Sequence, residues 1–143
     1  MRSSTPTPRI ILNALGAAGV GNAIDVSKLE HIYVAVSCAD LSTLTFKFQG
    51  SVGKSSVSTA VPDFSAAQSL TNHWDYVGVI DMQSQSGIIA GDTGVSVNND
   101  TVPNNVRLYQ INVDALKWFS MEVSSWTDGS ITSWLVGFVN DAT

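Results

Sequence analysis

Leu44-Thr45-Phe46-Lys47-Phe48 decides the fold class. Apolar and polar residues alternate strictly through it. Successive side chains of a strand point to opposite faces, so Leu44, Phe46 and Phe48 share one face and Thr45 and Lys47 the other. Such a segment is a half-buried strand of an antiparallel sheet. Similar character recurs on both sides of it. Ile10–Leu12 opens a short strand, and Ile32–Cys38 is rich in β-branched and aromatic residues. Further windows follow at Trp74–Ile80, Val106–Ile111, Lys117–Val123 and Ile131–Val139.

Turn residues fall between these windows: Ala39-Asp40, Gly50–Ser56, Asn98-Asn99-Asp100, Pro103-Asn104-Asn105 and Asp128-Gly129. The last pair joins two strong strands and predicts a tight hairpin. Ser27-Lys28-Leu29-Glu30 has capping-box spacing and predicts one helical turn. The acidic residues are ten Asp and two Glu, a balance that favours turns over helices. No window carries a helical period. The expectation is an all-β fold: an antiparallel β-sandwich, jelly-roll-like, of seven or more strands. Residues 23–143 form the sandwich domain. Residues 1–22, with Pro6, Pro8 and small residues, are expected to form an extended N-terminal arm.

The chain has 143 residues, a length that buries a core without disulfides or metals. Charged residues make up only 13%, so Ser, Thr, Asn and Gln must wet the surface. Such a surface packs against a neighbour with little ion desolvation. Net charge is −5, and the seven Lys and Arg are scattered, which leaves no basic stripe for nucleic acid. No apolar run reaches the roughly 20 residues of a membrane span. Arg2–Gly21 imitates a secretory signal, but Pro6, Pro8 and Asn13 interrupt it. Cys38 is the one cysteine, which excludes an intrachain disulfide and a Cys-based zinc cage. It is expected in the core.

Chemistry-bearing motifs are sparse. Gly16–Gly21 is glycine-rich, yet the residues after it look extended, and a phosphate cradle needs a helix N-terminus there. His31 and His73 each open a strand and have no Gly-x-Ser-x-Gly partner motif. Asp63, Asp75, Asp81, Asp92 and Asp100 are carboxylates by type, but each sits near a turn, where Asp caps backbone groups. Asp92, Asn98, Asn99 and Asp100 offer oxygen ligands for Ca²⁺ at a spacing that does not match an EF-hand. The expectation is no catalytic, cofactor or metal residue. Trp118 and Trp134 are expected to pack in the core. Trp126, near the expected hairpin tip, is a candidate for partner contact or sugar stacking. Arg9, Ile10 and Ile11 in the arm are the other candidate contacts.

One resemblance covers residues 23–140. Ala23-Ile24-Asp25-Val26, Phe46–Ser51, Asn72–Val77, Ile80-Asp81, Gly91-Asp92-Thr93-Gly94, Tyr109–Val113 and the closing strand Ile131–Val139 resemble small β-sandwich structural proteins of tailed-phage virions. These are of the capsid decoration or cement type, or tail-associated. The resemblance implies a non-enzymatic virion protein, with the major capsid protein or other virion subunits as partners. It also implies a homo-oligomer, for which a trimer is the expected count, and no cofactor. A tail, fibre or baseplate module that binds glycans is the alternative. A small enzyme or lectin-like domain outside any virion is the third reading.

Overall fold

The computed structural model describes residues 8–39, 41–53, 61–84, 87–98 and 106–139, of which 138 and 139 by backbone only. Two antiparallel sheets pack face to face, and the described residues contain no helix. The strands are β1 (Arg9–Leu15), β2 (Gly19–Val20), β3 (Ile24–Asp25), β4 (Leu29–Cys38), β5 (Thr43–Ser51), β6 (Asp75–Tyr76), β7 (Val79–Asp81), β8 (Ile88–Ile89), β9 (Val95–Val97), β10 (Val106–Asn112), β11 (Trp118–Asp128) and β12 (Ile131–Val139). The first sheet runs β1-β12-β4-β10-β7-β8. The second runs β2-β11-β5-β6, with β3 also on β11 and β9 also on β5. The expected β-sandwich is therefore the observed one.

The alternation read in β5 holds. Leu44, Phe46 and Phe48 are buried between the sheets. Phe46 meets Phe48 and Tyr109 edge-on, with centroids 5.8 and 5.9 Å away, and Phe48 reaches Phe119 at 6.2 Å. Offset and edge-on rings suit the aromatic quadrupole. Burial is the main cause that pushes the Tyr109 hydroxyl up to about 12. Cys38 lies in this core, as expected.

The chain changes sheets by paired arches. β4 belongs to the first sheet and β5 to the second, while β11 belongs to the second and β12 to the first. Asp128-Gly129 is therefore an arch between sheets and not the tight hairpin expected. The flanking strands pair with β5 and β4 and not with each other. The arch stacks on the β4–β5 connection through Ser42. The Ser42 hydroxyl donates to the Ala39 carbonyl (2.6 Å) and accepts from the Ser130 amide (3.3 Å). Gly129 has φ +89° and lies so close to Ser42 that a Cβ would overlap it. Only glycine takes both that angle and that space without strain.

Three further expectations change. Most of the expected arm is part of the sandwich. β1 pairs with β12, Ile11 and Leu12 are each only 2% exposed, and β2 pairs with β11. Their apolar side chains stabilise the core, which a free arm would leave in water. Residues 1–7 lie outside the described residues. The Ser27–Glu30 segment is no helical turn. The Leu29 amide donates to Val26 O at 3.0 Å, closing a β-turn, and Asp25 Oδ1 accepts from the Ser27 amide and hydroxyl. A side chain that satisfies the backbone locally in this way competes with helix. Trp134 is not in the core either. Its neighbours Ser133 and Leu135 point inward, so strand parity puts Trp134 on the outer side of the first sheet.

Candidate interaction face of the first sheet

The two sheets differ on their outer sides. On the second sheet, Lys47 and Glu122 face outward in register across β5 and β11. The Tyr76 hydroxyl donates to Glu122 Oε1 at 2.6 Å, and Lys47 Nζ lies 4.7 Å from the Tyr76 ring centroid. Burial, then that carboxylate, pushes Tyr76 up to about 12. Part of this side is covered by the segment before β6. Gln49 Nε2 donates to Phe64 O (3.0 Å), and Phe64 packs on Trp74. This is the polar, partly covered exterior that an antiparallel sandwich normally presents.

The outer side of the first sheet is different. One row reads across four strands in register: Ile10 on β1, Trp134 on β12, Ala35 on β4 and Leu108 on β10. The next reads Val136, Tyr33, Gln110, Ile80 and Ile88, on β12, β4, β10, β7 and β8. A third reads Thr132, Ser37 and Val106. No Asp, Glu, Lys or Arg belongs to these rows. Ile10 is 51% exposed, Leu108 49%, Val106 55% and Ile88 72%. Beside Leu108 lies a depression of about 500 Å³, lined also by Met82, Gln83, Val106 and Arg107. Arg107 marks its rim, 3.8 Å from Asp81. An uncharged apolar sheet face of this extent is the usual mark of an interaction surface.

The sequence carried a signal for this face. His31–Cys38 and Ile131–Val139 are nearly unbroken apolar runs, whereas β5 alternates. Unbroken runs belong to strands covered on both faces. Their composition reads as strand, but the second covered side is visible only once the register is known.

The expected contact residues separate accordingly. Ile10 lies on the apolar face, paired with Trp134, which was expected in the core. Ile11 is in the core and cannot touch a partner, because the β1 bulge between Ile10 and Leu12 turns it inward. Arg9 is exposed at the start of β1, on the side opposite Ile10. Trp126 sits away from this face, 39% exposed on β11. Its indole N–H donates to Gly129 O at 2.9 Å, so what it offers is a ring face. Trp118 is partly buried on the second sheet, with Lys117 Nζ 5.3 Å from its ring centroid.

Several of the polar groups weighed for catalysis have structural partners. Ser51 and His73 do meet, with Oγ to Nδ1 at 3.2 Å, but the serine proton goes to His73's own carbonyl at 2.7 Å. That hydroxyl also accepts from the Gly53 amide, an anchor's role. Asp63, Asp75 and Asp81 accept from the backbone amides of Ser65, Tyr76 and Gln83. Hydrogen bonds from Ser65 hold the Asp63 carboxyl below the usual range. His31 lies on the outer side of β4, opposite Asn112. Asp92 is exposed in the turn before β9, and the segment after Gly16–Gly21 is strand β3, not a helix. Asn99 and Asp100 lie outside the described residues. Among the described residues no group of three His, Cys, Asp or Glu could hold a metal.

No family model matches the chain, and no curated protein does. Among solved structures, the SPBc2 prophage-derived protein YomS is similar with a TM-score of 0.60 and 12% sequence identity. The match covers 95% of this chain and 97% of that one. At this identity the likeness establishes a shared fold over nearly the whole of both chains.

Proposed function

We propose that the protein is a non-enzymatic structural component of a tailed-bacteriophage virion, a capsid decoration or cement protein that stabilises the head lattice. The observation that carries this reading is the uncharged apolar face of the first sheet, an exterior suited to being covered. Buried apolar area is the main driving force of association, and a face without ions loses no charge hydration on contact. The fold shared with a prophage-derived protein supports the phage setting, as do the sequence motifs of β3, β5 and β10. The partners are the major capsid protein or other virion subunits. A tail, fibre or baseplate module is the second reading, and Trp126 favours it. Its ring is partly exposed, and its N–H is already satisfied, which leaves it free to stack on a sugar.

Copy number tests this reading. The chain is quantified by mass spectrometry against the major shell protein in purified particles. Hundreds of copies per particle support decoration. A few dozen or fewer move the protein to the tail, and absence from particles overturns the virion reading.

A further inference from the structure

We propose that the apolar face of the first sheet binds the same face of a second copy, making a twofold dimer. The inference deepens the assembly reading of that face and rests on it.

Size is the first argument. The face spans six strands and three rows of outward residues. At about 4.8 Å between strands and about 7 Å between rows, the rows of four, five and three residues cover roughly 400 Å² in projection. Side-chain relief and the depression beside Leu108 bring that area towards the roughly 600 Å² per partner at which specific protein pairs begin.

Charge is the second argument. Each copy carries −5, so two copies repel through most orientations. This face contributes nothing to that repulsion. A partner with an ordinary charged surface would have to strip its ions of water here without receiving a counter-charge. The three rows of a second copy have none to strip, and Arg107 at the depression is already paired with Asp81.

Shape is the third. The row Ile10–Trp134–Ala35–Leu108 is bulky at both ends and low at Ala35. Beyond Leu108 it falls into the Met82-lined depression. A twofold axis near the middle of the row reverses it on the second copy. Ile10 of each copy then lies over the depression of the other, so each such contact is made twice in the dimer. Facing sheets in such a pair lie about 10 Å apart, as in a sandwich interior.

Sedimentation equilibrium of the isolated full chain tests this. The wild type is expected at about 30 kDa, twice its 15.2 kDa. Leu108→Lys places one unpaired charge per copy inside the contact and is expected to weaken self-association by at least about 100-fold. Leu108 is half exposed, so circular dichroism of that variant should match the wild type. Ile88→Lys, at a more exposed margin of the face, is the second variant and should weaken the dimer less. Leu70→Lys, exposed in the segment before β6 and off this face, should leave it unchanged. A monomeric or trimeric wild type overturns the proposal, and so does a dimer indifferent to both face variants. These outcomes are independent of particle copy number. A monomer present in hundreds of copies would sink the dimer and spare the virion reading, whereas a dimer absent from particles would do the reverse.

Discussion

Phe46→Ala and Trp134→Ala together test which side of each sheet is inside. Phe46 is 1% exposed and touches the rings of Phe48 and Tyr109. Truncating a buried Phe costs about 3–5 kcal/mol, from lost transfer free energy plus the cavity left behind. Its ring neighbours come from both sheets, Phe48 on β5 itself and Tyr109 on β10, so the cavity collapses poorly, and the expected cost is about 4 kcal/mol. Trp134 lies outward between Ile10 and Ala35. Its truncation in the monomer opens no enclosed cavity. It loses the part of the ring already covered in the monomer, without a cavity term, about 2 kcal/mol of apolar burial. At roughly 3 °C per kcal/mol for a chain of this size, the expected drops are about 12 °C and about 6 °C. Urea and thermal unfolding followed by far-ultraviolet circular dichroism measure both, because a tryptophan signal would change with the mutation itself. The experiment runs at a concentration below which the midpoint no longer varies. A Trp134→Ala cost above about 3 kcal/mol, with Phe46→Ala below about 1, would reverse the assigned faces and refute the reasoning.

Two other outcomes follow from the same structure. Gly129→Ala forces an L side chain to φ +89° and against Ser42. The left-handed angle costs about 1–2 kcal/mol and the overlap adds to it, so thermal unfolding should show a loss above about 2 kcal/mol. A loss below about 0.5 kcal/mol would mean the arches do not stack as described. Asp25 is held at about 2, first by its hydrogen bond from Lys117 (2.9 Å) and then by those from Ser27. A depressed carboxyl pKa contributes stability above the unfolded value near 4, and that contribution disappears as pH falls towards 2. Because the pair is two-fifths exposed, solvent screening holds the effect under about 1 kcal/mol. Asp25→Asn should therefore be less stable than wild type at pH 7, with the gap mostly closed by pH 2 and gone below it. A gap undiminished at pH 2 would assign it to something other than the charge.

Local pattern and global pairing explain what the sequence revealed. Alternation in β5 identifies its inner face because one residue in two is polar. β12 hides its parity: Trp134, Leu135 and Val136 are all apolar, and the inward Ser133 hydroxyl accepts from the β1 Leu12 amide at 3.2 Å. An inward serine with a backbone partner is permitted, yet it reads as an outward residue. Asp128-Gly129 correctly marks a chain reversal, but a turn dipeptide says nothing about which sheet the next strand joins. The arm joins the sandwich for a related reason. Ile10–Leu12 showed as a short strand, but the bulges of β1 break its period and bury two consecutive residues, Ile11 and Leu12. Ala14 takes φ 50° in the same strand, a second irregularity that alternation cannot reveal. Among the candidate contacts, Ile10 sits on the apolar face. That face joins residues about 125 positions apart in sequence and emerges only from register.

The central claim is that the outer side of the first sheet is covered when the protein works. Hydroxyl-radical footprinting of Trp134, Leu108 and Ile88 tests it most directly, with the assembled wild type compared against the Leu108→Lys chain at the first and third positions. Leu70, exposed and off the face, is the internal standard. Trp134 and Ile88 are expected to be strongly protected in the assembled wild type and to lose that protection in the variant, with equal reactivity of Leu70 in both. Trp134, Leu108 and Ile88 reacting in the assembled protein as freely as Leu70 would contradict it.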